Sequence, residues 1–132
     1  MTTVIGVLCS DGVVVGTDSA ATFGPTPAIR TIEQPTVKID IVDDRVLVAC
    51  SGAVGLSQRF VEIVKERHRA RGVTGAPLEV GKQLSGLMIR DMLSTQLKPG
   101  YISAVVAFPI DHVPYLWEFD LALFQPELKE EG

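Results

Sequence analysis

The sequence predicts an α+β protein in which helices pack on the face of antiparallel sheets. Three observations lead there. The first eighteen residues hold two β-branched runs either side of a turn signal. The middle, from about Val54 to Leu97, carries apolar residues at helical spacing. A further pair of apolar, alternating runs then follows. The order is thus four strands, two helices and two strands.

Taken in order, Thr3–Cys9 and Val13–Asp18 flank Ser10-Asp11-Gly12 and read as a β-hairpin. Residues 20–35 hold Gly24, Pro25, Pro27 and Pro35, which make them loop with at most short extended pieces. Thr36–Val42 alternates with period two, Asp43-Asp44 is a tight turn, and Arg45–Cys50 is the returning strand. A helix is expected from about Val54 to Arg71, with Leu56, Phe60, Val61, Val64 and His68 on one face. Its last turn is rich in Arg and Lys, and Gly72 stops it. A second helix starts at Thr74-Gly-Ala-Pro77 and runs to about Leu97. Leu84, Leu87, Met88, Asp91 and Met92 set its spacing, and Lys98-Pro99-Gly100 ends it. Ile102–Phe108 and Val113–Phe119 form a second hairpin across residues 109–112. The tail from Gln125 is polar and weakly patterned.

The chain has 132 residues, a length suited to one modest domain, and is 46% hydrophobic and 21% charged with net charge −4. Such a chain can bury a core. Its mild acidity gives no electrostatic case for nucleic acid or an anionic membrane. Cys9 and Cys50 lie far apart in apolar runs, with neither metal-ligand spacing nor a disulfide framework, which suits a reducing cytoplasm. There is no signal-peptide pattern and no run as long as a membrane span. Gly52-Ala-Val-Gly55 precedes a helix but lacks the lysine of a phosphate loop, so no nucleotide or other cofactor is expected. His68, on a helix face, and His112, in a turn, have no partners for ligation or triad chemistry and are read as structural. Cys9 and Trp117 are read as packing.

Chemistry concentrates at the start. If Met1 is removed, Thr2 carries a hydroxyl nucleophile and a free α-amine on one residue, and an N-terminal amine is one of the few bases that activate threonine. A threonine after methionine means little alone; its company changes the reading. The hairpin returns Asp18 to the N-terminus, Lys38 is a charge in a strand-like segment, and Gly52 stands between a strand and a helix, where a backbone N–H can face an anion. The positive charge would lower the amine's pKa and favour its basic form.

These residues carry a resemblance. The run from Thr2 through Gly12-Val-Val-Val-Gly-Thr-Asp18-Ser19-Ala-Ala-Thr22 resembles the start of proteasome β-type subunits and of the bacterial peptidase HslV. Thr36-Val-Lys38-Ile and then Ser51-Gly52 match the next two motifs at the expected spacing. The residues 31–35 and 52–56 are similar to those of proteasome-like homologues of proteobacteria.

The resemblance implies a four-layer αββα sandwich of the N-terminal-nucleophile hydrolase type and a threonine endopeptidase. Thr2 would be the nucleophile, Asp18 and Lys38 would organise it, and the Gly52 N–H would be the oxyanion hole. Thr22 would bind extended substrate through its backbone, and Cys50 would sit in a specificity pocket with Ala21, Thr36 and Val54 around it. Those small to medium, apolar identities suggest apolar substrate side chains. Peptides or unfolded proteins would be the substrates, the partners a homo-oligomeric ring and an ATP-dependent unfoldase. The family's domain runs longer, and its later part supplies a serine and an acidic residue near the threonine amine. Residues 1–132 are therefore expected to form the front of one proteasome β-like domain whose C-terminal part is absent or not represented. Two other readings stand beside the peptidase: an amidohydrolase acting on a small amide, and an inactive subunit that only builds a ring.

Overall fold

A computed structural model describes residues 3–18, 20–23, 32–35, 38–71, 75–94, 102–121 and 123–130. The strands are β1 (Val4–Leu8), β2 (Val13–Thr17), β3 (Ala20–Phe23), β4 (Ile32–Pro35), β5 (Ile39–Val42), β6 (Val46–Gly52), β7 (Ile102–Ile110), β8 (Val113–Phe119) and β9 (Pro126–Leu128). Helices α1 (Val54–Arg71) and α2 (Pro77–Ser94) lie between β6 and β7. Strands β5-β6-β7-β8-β9 form one antiparallel sheet in that order, while β1-β2 and β3-β4 are two-stranded.

The five-stranded sheet has two faces because side chains alternate along a strand. Val46 and Val48 of β6, Ala104, Val106 and Phe108 of β7, and Trp117 and Phe119 of β8 join the core with Phe60, Val64, Leu84 and Met88 of the helices. α1 lies over β6, and α2 over β8 and β9. The opposite face receives the β1-β2 hairpin. Gly6 makes that approach possible, since a Cβ there would come within 3.0 Å of Val105 and 3.2 Å of Leu116. Val4, Gly6 and Leu8 are half-buried while Ile5 and Val7 are exposed, so β1 shows the alternation its sequence predicts.

Three connections set the register. Asp43 and Asp44 both have positive φ, 52° and 54°, and the Arg45 N–H donates to the Val42 carbonyl at 3.0 Å. Asp111 and His112 repeat the pattern at φ 49° and 65° between the paired Ile110 and Val113. Left-handed conformations at both central residues match the twist of flanking strands, and Asp and His tolerate them. The second turn is therefore two residues long, and Pro109 and Ile110 belong to β7, beyond the expected strand end at Phe108. At the third connection, the Asp120 carboxylate accepts from the Leu123 N–H at 2.8 Å. This shapes a turn that sets buried Phe124 (φ 52°) against Phe119 and Phe60, at centroid distances of 5.0 and 4.9 Å.

Elsewhere the boundaries shift modestly. The segment expected to be loop with at most short extended pieces holds two such pieces, the paired four-residue strands β3 and β4. The strand expected from Thr36 is seen as β5 from Ile39, with Thr36 and Val37 outside the described residues. The tail contributes β9, which was not expected. His68 packs edge-on against Phe108 at 5.3 Å, in keeping with a structural role.

Candidate active site

The hairpin register builds the site. Val4 stands opposite Thr17, so the next pair outward is Thr3 and Asp18. The backbone confirms this pairing, with the Asp18 N–H donating to the Thr3 carbonyl at 3.3 Å. The Asp18 side chain then turns back on the strand it faces. Its Oδ1 accepts from the Thr3 N–H at 3.0 Å, and its Oδ2 accepts from the Lys38 Nζ at 3.0 Å.

One carboxylate thus ties the backbone at the start of β1 to an ammonium entering from just before β5. The Lys38 side chain is only 9% exposed and that of Asp18 is 37% exposed. Both interactions favour the charged acid. The Thr3 N–H and then the Lys38 ammonium hold the Asp18 carboxyl below its ordinary range. The ion pair fixes an ammonium near the first residues of the chain. Thr2, the residue immediately before Thr3, lies outside the described residues.

Gly52 closes β6 opposite Ile102. Its φ of 123° is a conformation that L side chains rarely adopt, and it turns the chain into α1 two residues later. Cys50, two residues earlier, is partly buried against the core. Burial pushes its thiol up to about 12, against the Ser57 hydroxyl, which favours the thiolate, with the charge of Asp40 adding to the rise. That makes Cys50 a poor nucleophile at neutral pH. Val54, the first residue of α1, is 66% exposed. Ala21 and Thr22 pair with Gln34 and Glu33 across β3 and β4. Thr36 lies outside the described residues.

The structure therefore brings Asp18 and Lys38 together, and β2 packs across β6, the strand that ends in Gly52. Sequence reasoning missed two participants, the Thr3 N–H on the Asp18 carboxylate and Ser57 beside Cys50. The first was readable in principle from the hairpin register; the second depends on how α1 sits over β6. Among the described residues no group of three His, Cys, Asp or Glu side chains could hold a metal ion. Among the described residues no helix is long and apolar enough to cross a membrane.

Two helices over a five-stranded antiparallel sheet, backed by a hairpin whose end carries a carboxylate–ammonium pair, make an α+β sandwich. Residues 1–122 match the family described as Proteasome subunit, and the chain belongs to that family. It is 32% identical over 106 residues to a proteasome subunit beta of Methanothrix thermoacetophila, covering 80% of this chain and 49% of that protein. It is 30% identical over 122 residues to the proteasome subunit beta of Methanococcus maripaludis, covering 85% of this chain and 54% of that one. The chain thus spans about half the length of these curated relatives. The crystal structure of eukaryotic HslV from Trypanosoma brucei superposes with a TM-score of 0.65 at 17% identity, covering 98% of this chain and 67% of that chain, a likeness of fold.

Proposed function

We propose that this chain is a threonine endopeptidase subunit of a self-compartmentalised protease, with Thr2 as its nucleophile once Met1 is removed. The observation that carries the reading is the Asp18 carboxylate held between the Thr3 N–H and the Lys38 ammonium, one residue from Thr2.

In this reading the Thr2 amine takes the proton of the Thr2 hydroxyl as its oxygen attacks a peptide carbonyl carbon. The carbonyl π electrons move to oxygen, and the Gly52 N–H meets the developing charge; a donor of this kind is worth about 10²–10³ in rate. The protonated amine then gives its proton to the leaving peptide nitrogen as the C–N bond breaks, leaving an ester on Thr2. Water, deprotonated by the same amine, hydrolyses the ester. Lys38 keeps the amine in its basic form by like-charge repulsion. Asp18 keeps Lys38 in place and pins the backbone that carries Thr2. Ala21, Thr22, Thr36, Cys50 and Val54 line the approach for an extended peptide with apolar side chains.

Copies of the subunit assemble into a cytoplasmic ring with the sites inward, since closed symmetry satisfies interfaces without open-ended growth. An ATP-dependent unfoldase feeds it unfolded protein. N-terminal sequencing and intact mass are expected to show Thr2 as the first residue, and Thr2→Ala to abolish cleavage of fluorogenic peptides. Retained Met1, or full activity in Thr2→Ala, overturns the reading.

A further inference from the structure

The residues expected around Cys50 are small and apolar, but the register of the five-stranded sheet adds an acid to them. Asp40 of β5 pairs with Val48 of β6, and Ile39 pairs with Ala49. Side chains alternate along a strand, so Asp40 shares a face with Val48 and with Cys50, two residues further along β6. Diagonal neighbours of this kind stand about 7–8 Å apart, within reach of a long side chain. Val48 is buried and Asp40 is exposed, so the carboxylate meets solvent beside the half-buried thiol. We infer that Asp40 selects lysine or arginine as the substrate residue whose carbonyl is attacked. This inference rests on the peptidase reading above and narrows it: the apolar walls take a methylene stem, and the acid takes its charged end.

The charges around Asp40 favour a cation from outside. Among the described residues no cation pairs with it. Lys38, which precedes β5, is matched by Asp18. Along α1, Arg59 is matched by Asp91, Lys65 by Glu62 and Arg69 by Asp43. The Asp40 charge is also felt at the pocket wall, where it adds to the rise of the Cys50 thiol.

Three kinds of substrate side chain can be compared at such a wall. A leucine would cover the carboxylate without giving it a partner, which costs solvation. A glutamate would meet a like charge. A lysine or arginine lays its stem along apolar surface and keeps its head at the acid, as these side chains do at other half-buried sites. The ammonium of Lys38 offers that head little opposition, because Asp18 already neutralises it.

The test measures kcat/KM of the full chain in its native assembly on fluorogenic peptides that differ only in the residue before the scissile bond, with arginine, leucine or glutamate there. Arginine should be cleaved fastest and glutamate slowest. Asp40→Asn, an isosteric change at an exposed strand position, should lower the arginine-to-leucine ratio by about tenfold. Asp40→Glu should restore most of it, and rising salt should shrink it in the parent, as expected of a partly solvated pair. The ratio is insensitive to any loss of folded enzyme, which lowers both rates alike. A parent that cleaves leucine as fast as arginine, or a ratio that Asp40→Asn leaves unchanged, overturns the inference and leaves the peptidase reading standing. Failure to cleave any of the peptides overturns the peptidase reading and this inference with it.

Discussion

Asp18 shows how a single side chain can be structural and chemical at once. Both carboxylate oxygens are engaged, one by the backbone of the facing strand and one by Lys38. Its pKa lies below the ordinary value of 3.8, so the stabilisation is complete above that value and is lost as pH falls through the lower folded value. Asp18→Asn should therefore be less stable than the parent at pH 7, and the gap should close as urea midpoints are followed below pH 3.8. A constant gap across that range would show that the ion pair contributes nothing. Asp43 repeats the design at the other end of β5 from Lys38. Arg69 first, then His68, holds its carboxyl at about 2, which ties the β5–β6 turn to the end of α1. Lys38→Met keeps the aliphatic stem and deletes the charge. On the proposed mechanism, peptidase activity should fall by about 10²-fold or more with the fold intact by circular dichroism. Unchanged activity would remove Lys38 from the mechanism.

At the level of elements, α2 meets the sheet at Gly81. A Cβ there would stand 2.8 Å from the Trp117 ring and 2.9 Å from Pro126. The Trp117 Nε1 donates to the Pro77 carbonyl at 3.1 Å, so the indole cannot move away without losing that bond. Alanine in place of a helical glycine gains about 1 kcal/mol of propensity, while overpacking a core costs about 1–3 kcal/mol. The clash wins, and Gly81→Ala should lower the thermal midpoint; a rise would mean that the helix shifts freely. This contact was not legible in the sequence, because it joins residues 36 apart in different layers. The elements themselves were legible where one side of each is apolar, as in β1, β2, α1 and α2. The end of β7 was not. Pro109 reads as a breaker, yet it faces Pro114 in the β7-β8 ladder next to the closing pair Ile110 and Val113. At a non-hydrogen-bonded position each proline nitrogen points away from its partner strand. The β6 ladder has ended at Ala107 and the β9 ladder begins at Trp117, so neither proline removes a bond. Strand β9 escaped notice because three residues show no period. Of the site, the nearness of Asp18 to the chain start followed from the hairpin, whereas Lys38 stood out only as a charge in a strand-like segment, since no local pattern says where a lysine before a strand will point.

For the whole molecule, stability should be distributed according to how many sides each strand has covered. Strand β7 is paired along both edges, with β6 and β8, and its helix-facing residues Ile102, Val106 and Phe108 are almost fully buried. The aromatic set Phe60, Phe119 and Phe124 clamps the same region from α1 to the β8–β9 turn. Hairpin β1-β2 is a two-stranded sheet whose outward residues Ile5, Val7 and Val14 are 60%, 44% and 62% exposed. It is held to the larger sheet through Val4, Gly6 and Leu8, and a lone hairpin is marginal in water. Opening that hairpin exposes far less apolar surface than opening the central sheet, so it should cost less free energy. Amide exchange of the 132-residue chain should accordingly be slowest in β6, β7 and β8 and measurably faster in β1 and β2. Because Thr3 and Asp18 close that hairpin, Asp18→Asn should accelerate exchange in β1 and β2 while leaving β7 unchanged. Equal protection of both regions would mean that the hairpin and the central sheet open as one cooperative unit, and that the ion pair at Asp18 reports on the entire fold.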